Sequence, residues 1–354
     1  MKTAAQESTM FLRSAHIRHY KSLDDVRVEF TRPITVIVGP NAVGKSNFVD
    51  ALRFASETAV QSPMAVAVIQ RGGIQRIRQH GTTASDPVRI RLGLSEFPRA
   101  AENAHVEYTL ETTEDGRYSI GNRHSGMDVH NLYGDSERLR NWCFSSIFPN
   151  TLRQPGFTDQ PDRLREDGSN WASVTKALRK TNGGKAALQR IGDSMRCAIP
   201  GFRDIRVRAV GNYLVPHFVF DDANKSVEFD PLQLSDGTLR IFGLLLAIYQ
   251  LPAPTLLVIE EPEHTVYPGA LGVLVDAMRE ASEQTQIILT THSPDLVHYF
   301  KPDEIRVATI ENGHTRIAPI CAPQRAAIDE HLMTAEEFMR AEGLQPEPVQ
   351  TPTT

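Results

Sequence analysis

The sequence predicts an α/β fold with a parallel core, an antiparallel β subdomain and a small helical lobe. Three observations predict it. The β-branched run ITVIV, Ile34 to Val38, ends in glycine and leads into a helical stretch. Segments such as VRIRLGL and HVEYTL alternate as antiparallel strands do, and the last third winds TLLVIE, PGALGVLVDAMREASE, QIILTTH, which is strand, helix, strand.

With 354 residues, 40% hydrophobic and 23% charged, the chain can bury a full core as one large domain or two intimately packed ones. A net charge of -5 excludes an all-over basic coat for nucleic acid but leaves room for a local patch. Cys143, Cys197 and Cys321 are far apart and form no CxxC pair, which gives no zinc site and fits a reducing compartment. The N-terminal residues lack an apolar stretch of signal-peptide length and no segment approaches a membrane span, so a cytoplasmic location without a membrane partner is expected.

Element by element, short strands are expected at Phe11 to Tyr20, Val26 to Phe30 and Ile34 to Val38, then a helix from Lys45 to about Thr58. A Gly- and Arg-rich loop follows, then the side sheet. From Ser136 to Pro200 the pattern is helical, broken at Asp167-Gly168 and Gly183-Gly184, before strands return at IRVRAV, LVPHFVF and SVEF. After QIILTTH come IRVATIE and TRIAPI and a helix begun by Thr334. The expected organisation is one domain over 1–345: a lobe 11–135 with the side sheet, a helical lobe 136–235, a core 236–320 and helices 321–345. Residues 346–354 are expected to be a disordered tail.

The strongest chemical signal is Gly39-Pro-Asn-Ala-Val-Gly-Lys-Ser46, a GxxxxGK[ST] pattern set between an apolar strand and a helix. Such a loop wraps a phosphate in backbone N–H groups. Gly39 and Gly44 permit the turn and the close approach of main chain; Lys45 neutralises β/γ charge, Ser46 holds Mg²⁺, and the helix dipole favours the anion. The strand TLLVIE then delivers Glu260 and Glu261 at its C-terminal end, the edge at which parallel sheets bind ligands. Glu260 suits the Mg²⁺ shell and Glu261 suits orientation and polarisation of an attacking water. His292 ends the next strand of the same sheet, where an imidazole can reach a γ-phosphate.

Between these motifs stands Leu234-Ser-Asp-Gly-Thr238, directly before the apolar run LRIFGLLLAIYQ. Read alone it is an N-cap, with Ser235 or Asp236 capping and Gly237 as turn residue. Its place between the phosphate loop and the acidic strand favours a second anion site, built from the Ser235 hydroxyl and the N–H groups around Gly237.

That order of motifs resembles the ABC-type ATPase heads of the RecF, SMC and OLD kind, with LSDGT in the place of the signature LSGGQ. The resemblance extends to HIRHYKSL, WCFSSIFPNTLRQPG and DGSNWASVTKAL, and so covers nearly the whole chain. It implies a two-lobed head that binds ATP and Mg²⁺ and hydrolyses ATP. It also implies nucleotide contacts from Lys21, Ser22, Asn41 and Asn47 beside the loop glycines, and a Mg²⁺-sensing Gln154. Two heads then pair head to tail, each offering Ser235 and Gly237 to the other's nucleotide, as a homodimer or higher oligomer. Three positions depart from the family pattern: Ala42 replaces a glycine, conservatively; Glu260 replaces an aspartate, although a Glu-Glu pair is common in this subgroup; and Tyr267 replaces a histidine.

Two functions remain open. One is a regulatory ATPase subunit of an antiphage-defence, OLD-like complex whose effector, such as a nuclease, lies on another chain. The other is a RecF-like DNA-binding ATPase of repair or replication maintenance. The absence of heptads and of a CxxC hook between Gln154 and Ser235 argues against long coiled-coil arms, and nothing after His292 resembles a TOPRIM nuclease. The arginines of Gln70 to His80 are expected in a solvated loop, or on nucleotide or a partner head, ahead of DNA; Arg203, Arg206 and Arg208 are expected to line one exposed strand face.

Overall fold

A computed structural model of the protein describes residues 10–60, 65–83, 85–96, 104–112, 118–125, 139–222 and 225–348. The expected tail from 349 onward lies outside them. The chain forms two compact units, residues 1–142 with 290–354, and residues 143–289.

In the first unit, five antiparallel strands run in the order Leu23–Glu29, Met10–Tyr20, Val88–Glu96, Ala104–Thr112 and Tyr118–Ser125. The period-two pattern of Leu23–Glu29 is realised directly, with Val26 and Val28 buried and their neighbours exposed. The strand Ile34–Val38 is buried at all five positions, and Ile305–Glu311 pairs with it in parallel through Ile305 and Val36. Its unbroken β-branched run, with Thr35 the one polar member, suits burial on both faces. A tight turn at Asn312 and Gly313, with φ of 52° and 84°, joins Ile305–Glu311 to the antiparallel His314–Ala318. The helix Lys45–Val60 packs Phe48 on Phe30 and Phe54 on Tyr20. Residues 345–348 run beside 319–321 through N–H to carbonyl bonds from Cys321 to Gln345 and from Glu347 to Pro319.

The expected Gly- and Arg-rich loop differs from what forms. Ala65–Gln70 and Ile74–Ile77 are short helices separated by Gly72 and Gly73, both at positive φ, and Ala67, Val68, Ile74 and Ile77 provide their inward face.

In the second unit, the strand Tyr213–Asp222 carries Lys225–Phe229, Phe202–Val210 and the two-residue Gly156–Phe157 as antiparallel partners. Trp171, Phe218 and Phe242 meet with ring centroids 5.1 to 5.8 Å apart, and the indole N–H of Trp171 donates to the Leu152 carbonyl at 2.9 Å. The strands Trp142–Ser145 and Leu256–Glu260 are neighbours, and Gln286 N–H donates to the Thr255 carbonyl where the next strand starts. Trp142–Ser145 lies in the region expected to be helical. Four consecutive buried residues are too few to reveal either period.

Gly183 and Gly184, expected to interrupt a helix, sit in the first turn of Asn182–Ala198. Thr181 caps that helix by accepting from Gly184 N–H, and a Cβ at Gly184 would lie 2.1 Å from the Leu178 carbonyl oxygen. Close backbone approach explains the glycine. Among the described residues no helix is long and apolar enough to cross a membrane.

Candidate functional site

The first unit holds the phosphate-loop residues. The loop begins where Gly39 N–H donates to the Thr291 carbonyl at 3.3 Å, and a Cβ on Gly39 would lie 2.3 Å from the Ala308 carbonyl oxygen, so only glycine fits. The turn closes through Ala42 at φ 65° and Gly44 at φ 97°. Ala42 is therefore less conservative than its size suggests: its Cβ occupies the left-handed region that glycine enters without cost, at about 1 kcal/mol. Lys45 opens the helix with its side chain only 5% exposed, and its ammonium donates to the Gly39 and Pro40 carbonyls at 2.7 and 2.8 Å. A cation thus lies folded into the loop at a helix N-terminus, a donor set that fits a polyphosphate. Asn41 and Ser46 are exposed, as is His292, which follows Thr291 directly.

Lys21 and Ser22 lie on the same side of the helix Lys45–Val60. Asn47 Nδ2 donates to Ser22 Oγ at 2.7 Å, and the Lys21 ammonium, on a residue with φ 50°, donates to Asp50 Oδ2 at 2.5 Å. Asp50 also accepts from the Tyr20 hydroxyl at 2.7 Å and from Arg71 at 3.0 Å, while Arg71 bonds Glu57 as well. The cluster faces an open cavity of about 450 Å³ lined by Lys21, Asp50, Arg71 and Arg76. Sequence reasoning missed Asp50; its one signal is an acid inside the otherwise buried turn Phe48-Val49-Asp50-Ala51-Leu52. Arg71 turns inward to Asp50 and so is not a surface arginine of a solvated loop.

Burial opposes ionisation of Asp50, but hydrogen bonds and charge from Arg71, with Lys21 and Tyr20, outweigh it and hold the carboxyl at about 2, below its ordinary 3.8. A lowered folded-state value gives stability that is present above about pH 4 and lost as pH falls through 2. The shift corresponds to about 2 kcal/mol. We therefore expect Asp50→Asn to unfold about 2 kcal/mol more easily in urea at pH 7, with the difference from the parent shrinking towards pH 2. A difference independent of pH would exclude the ion cluster as its source.

The second unit holds the acidic strand end and the pentapeptide. Glu260 accepts from the Ser146 hydroxyl at 3.4 Å, and Glu261 takes φ 46°, an uncommon conformation for a residue with a Cβ. Arg240, 4% exposed, donates from one Nη2 to the carbonyls of both Glu260 and Glu261 at 3.1 Å, bracketing that strained peptide. Burial lowers the Arg240 pKa, against the charges of Glu263 and Glu261. Arg240 is a second residue missed from sequence, being a lone cation in an apolar helix.

Ser235 caps the helix Asp236–Tyr249, accepting from Thr238 N–H at 3.2 Å. Every residue from Thr238 to Tyr249 is buried, which accounts for the apolar run. A Cβ on Gly237 would lie 2.8 Å from the Thr265 carbonyl oxygen. Asp236 pairs with Arg153 at 2.7 Å, and Arg153 also donates to the Leu234 carbonyl at 2.9 Å. The aspartate thus has a partner beside Gln154, which is itself exposed. Tyr267 is 76% exposed. Arg203, Arg206 and Arg208 are exposed as expected, yet Arg203 pairs with Asp221 and the other two share Glu228.

Residues 114–298, just over half of the chain, match the family described as "AAA domain, putative AbiEii toxin, Type IV TA system". The chain belongs to this AAA family. A second AAA-domain family matches residues 14–141. The AAA domain is 25% identical over 206 residues to the DNA replication and repair protein RecF of Gloeobacter violaceus, covering 56% of this chain and 50% of that protein. It is 30% identical over 141 residues to the chromosome partition protein Smc of Clostridium kluyveri, covering 36% of this chain and 11% of that protein. It thus spans half the length of the one relative and about a tenth of the other. A solved Smc head, bound to the C-winged helix domain of ScpA, superposes with a TM-score of 0.62 at 14% identity, covering 89% of this chain and 99% of that one. The fold is that of an SMC head, and the AAA domain is similar to the ABC-type ATPase heads of the RecF/SMC group that its motifs resemble.

Proposed function

We propose that this AAA domain binds and hydrolyses ATP in the cytoplasm and that its cycle controls pairing with a second copy. The observation that carries the reading is the buried Lys45 ammonium held inside the Gly39–Gly44 loop at a helix N-terminus. Gly39, Asn41, Gly44, Lys45, Ser46 and Asn47 take the phosphates, with Lys21 and Ser22 beside them. Ser46, Glu260 and Gln154 would hold Mg²⁺, which when bound neutralises charge on the phosphate oxygens. Glu261 orients and deprotonates the attacking water, and His292 contacts the γ-phosphate.

Ser235 and Gly237 serve the nucleotide of the opposing head, so ATP joins two heads and its hydrolysis releases them. We place this cycle in a regulatory subunit of a defence complex with a separate effector, a choice supported by the toxin named in the family description. A RecF-like role on DNA is the second reading, favoured by the RecF similarity. Co-purification from the native host separates the two: an effector such as a nuclease supports the first, DNA with repair proteins the second.

Lys45→Ala tests the nucleotide site itself. Loss of a charge-assisted phosphate contact should weaken binding of a fluorescent ATP analogue by about 10- to 100-fold. Unchanged affinity would move the site elsewhere.

A further inference from the structure

From the packing around Gly44 we infer that Thr315 is a positioning residue for the phosphate loop. The inference rests on the nucleotide reading above and extends it to a residue 293 positions from its partner Ser22. Thr315 lies on His314–Ala318 and is 4% exposed. Its N–H donates to the Ser22 carbonyl at 3.0 Å and its hydroxyl shares a hydrogen bond with Ser22 Oγ at 2.6 Å. Ser22 Oγ in turn accepts from Asn47 Nδ2, on the first turn of the helix that Lys45 opens. One chain of bonds therefore runs from the C-terminal hairpin through Ser22 to the residue two places after Lys45.

The same hydroxyl abuts the loop itself. A Cβ placed on Gly44 would lie 2.0 Å from Thr315 Oγ1 and 2.7 Å from Ser22 Oγ, so both hydroxyls lie close beside the Gly44 backbone where it turns at φ 97°. Any shift of the loop towards the hairpin meets these oxygens, and any shift of Ser22 pulls on Asn47. The neighbouring His314 adds a second tie, its Nδ1 2.8 Å from Gln79 Nε2. Thr315 is a neighbour of Gly44 and Ser22 rather than one of the proposed phosphate ligands. It acts by fixing Ser22 and Asn47 against Gly44, so that the N–H groups and Lys45 are already arrayed when phosphate arrives.

Thr315→Ala and Thr315→Ser test this, since the two variants differ by the hydroxyl alone and neither adds bulk. Amide hydrogen exchange over residues 44–48, measured without nucleotide, should rise about fivefold or more in Thr315→Ala and stay near the parent in Thr315→Ser. In ATP hydrolysis the KM of Thr315→Ala should rise by roughly five- to tenfold with kcat within about twofold, a single hydrogen bond's worth, and Thr315→Ser should restore it. Equal exchange in Ala, Ser and parent overturns the inference, as does an Ala effect that Ser fails to rescue. A parent that binds no ATP overturns the nucleotide reading instead, and the exchange comparison still decides whether Thr315 fixes the loop.

Discussion

Glu261→Gln is expected to cut steady-state phosphate release by about 10³-fold while ATP binding persists, because the amide keeps the shape of the side chain and loses its basicity. The fold gives a reason to single out Glu261 over its neighbour. Its backbone sits at φ 46°, and Arg240 anchors the carbonyl on either side of that residue, so a buried cation holds the strained backbone that carries the side chain. With turnover blocked, ATP-joined assemblies should accumulate, and light scattering should report a mass at least twice that of the monomer in ATP but not in ADP. Equal phosphate release by variant and parent would remove Glu261 as the base.

Ser235→Arg is expected to abolish turnover while a monomer still binds ATP. Ser235 is not needed for its own unit's fold beyond a helix cap worth about 1 kcal/mol, so the variant should remain folded. On the proposed head-to-tail pairing, arginine at the cap would instead fill the space offered to another copy's nucleotide. The decisive measurement is a mixture of Lys45→Ala chains with Ser235→Arg chains. Each is inactive alone, and a mixed pair contains one site with an intact loop facing an intact pentapeptide. Recovery of up to about a quarter of the parental rate is expected, since random pairing makes half the pairs mixed and each mixed pair has one of two sites. No recovery would count against head-to-tail pairing.

The loop, the acidic strand end and the pentapeptide could all be read from sequence because each is contiguous, with its chemistry and its turn residues in one short segment. What could not be read are the partners that lie far away along the chain. Thr315 meets Ser22 across 293 residues, and Arg153 meets Leu234 across 81. Asp50 and Arg240 are each a charge within a helix, and periodicity shows which side of a helix is buried but not whether a charge there meets a partner. Within 142–200, where helices do form at Trp171–Leu178 and Asn182–Ala198, two details differ: Trp142–Ser145 is too short to show alternation, and Gly183-Gly184 reads as a break until Thr181 is seen to cap the turn they form. The strands Met10–Tyr20, Ile34–Val38, Leu256–Glu260 and Gln286–Thr291 and the helix from Lys45 were legible to within a few residues, because burial imposes one strong pattern on each.

The pairing of Asp236 with Arg153 has a consequence for descent. An acid in the middle of the proposed anion-binding turn would repel phosphate, and here a guanidinium 83 positions earlier pairs with it while also tying down the Leu234 carbonyl. The two side chains are thus one electrostatic unit written in two places. A change to glycine at 236 would release Arg153 from this ion pair, whereas losing the arginine first would leave the acid's charge without this partner in the proposed half-site. Substitution should therefore travel this route in one order.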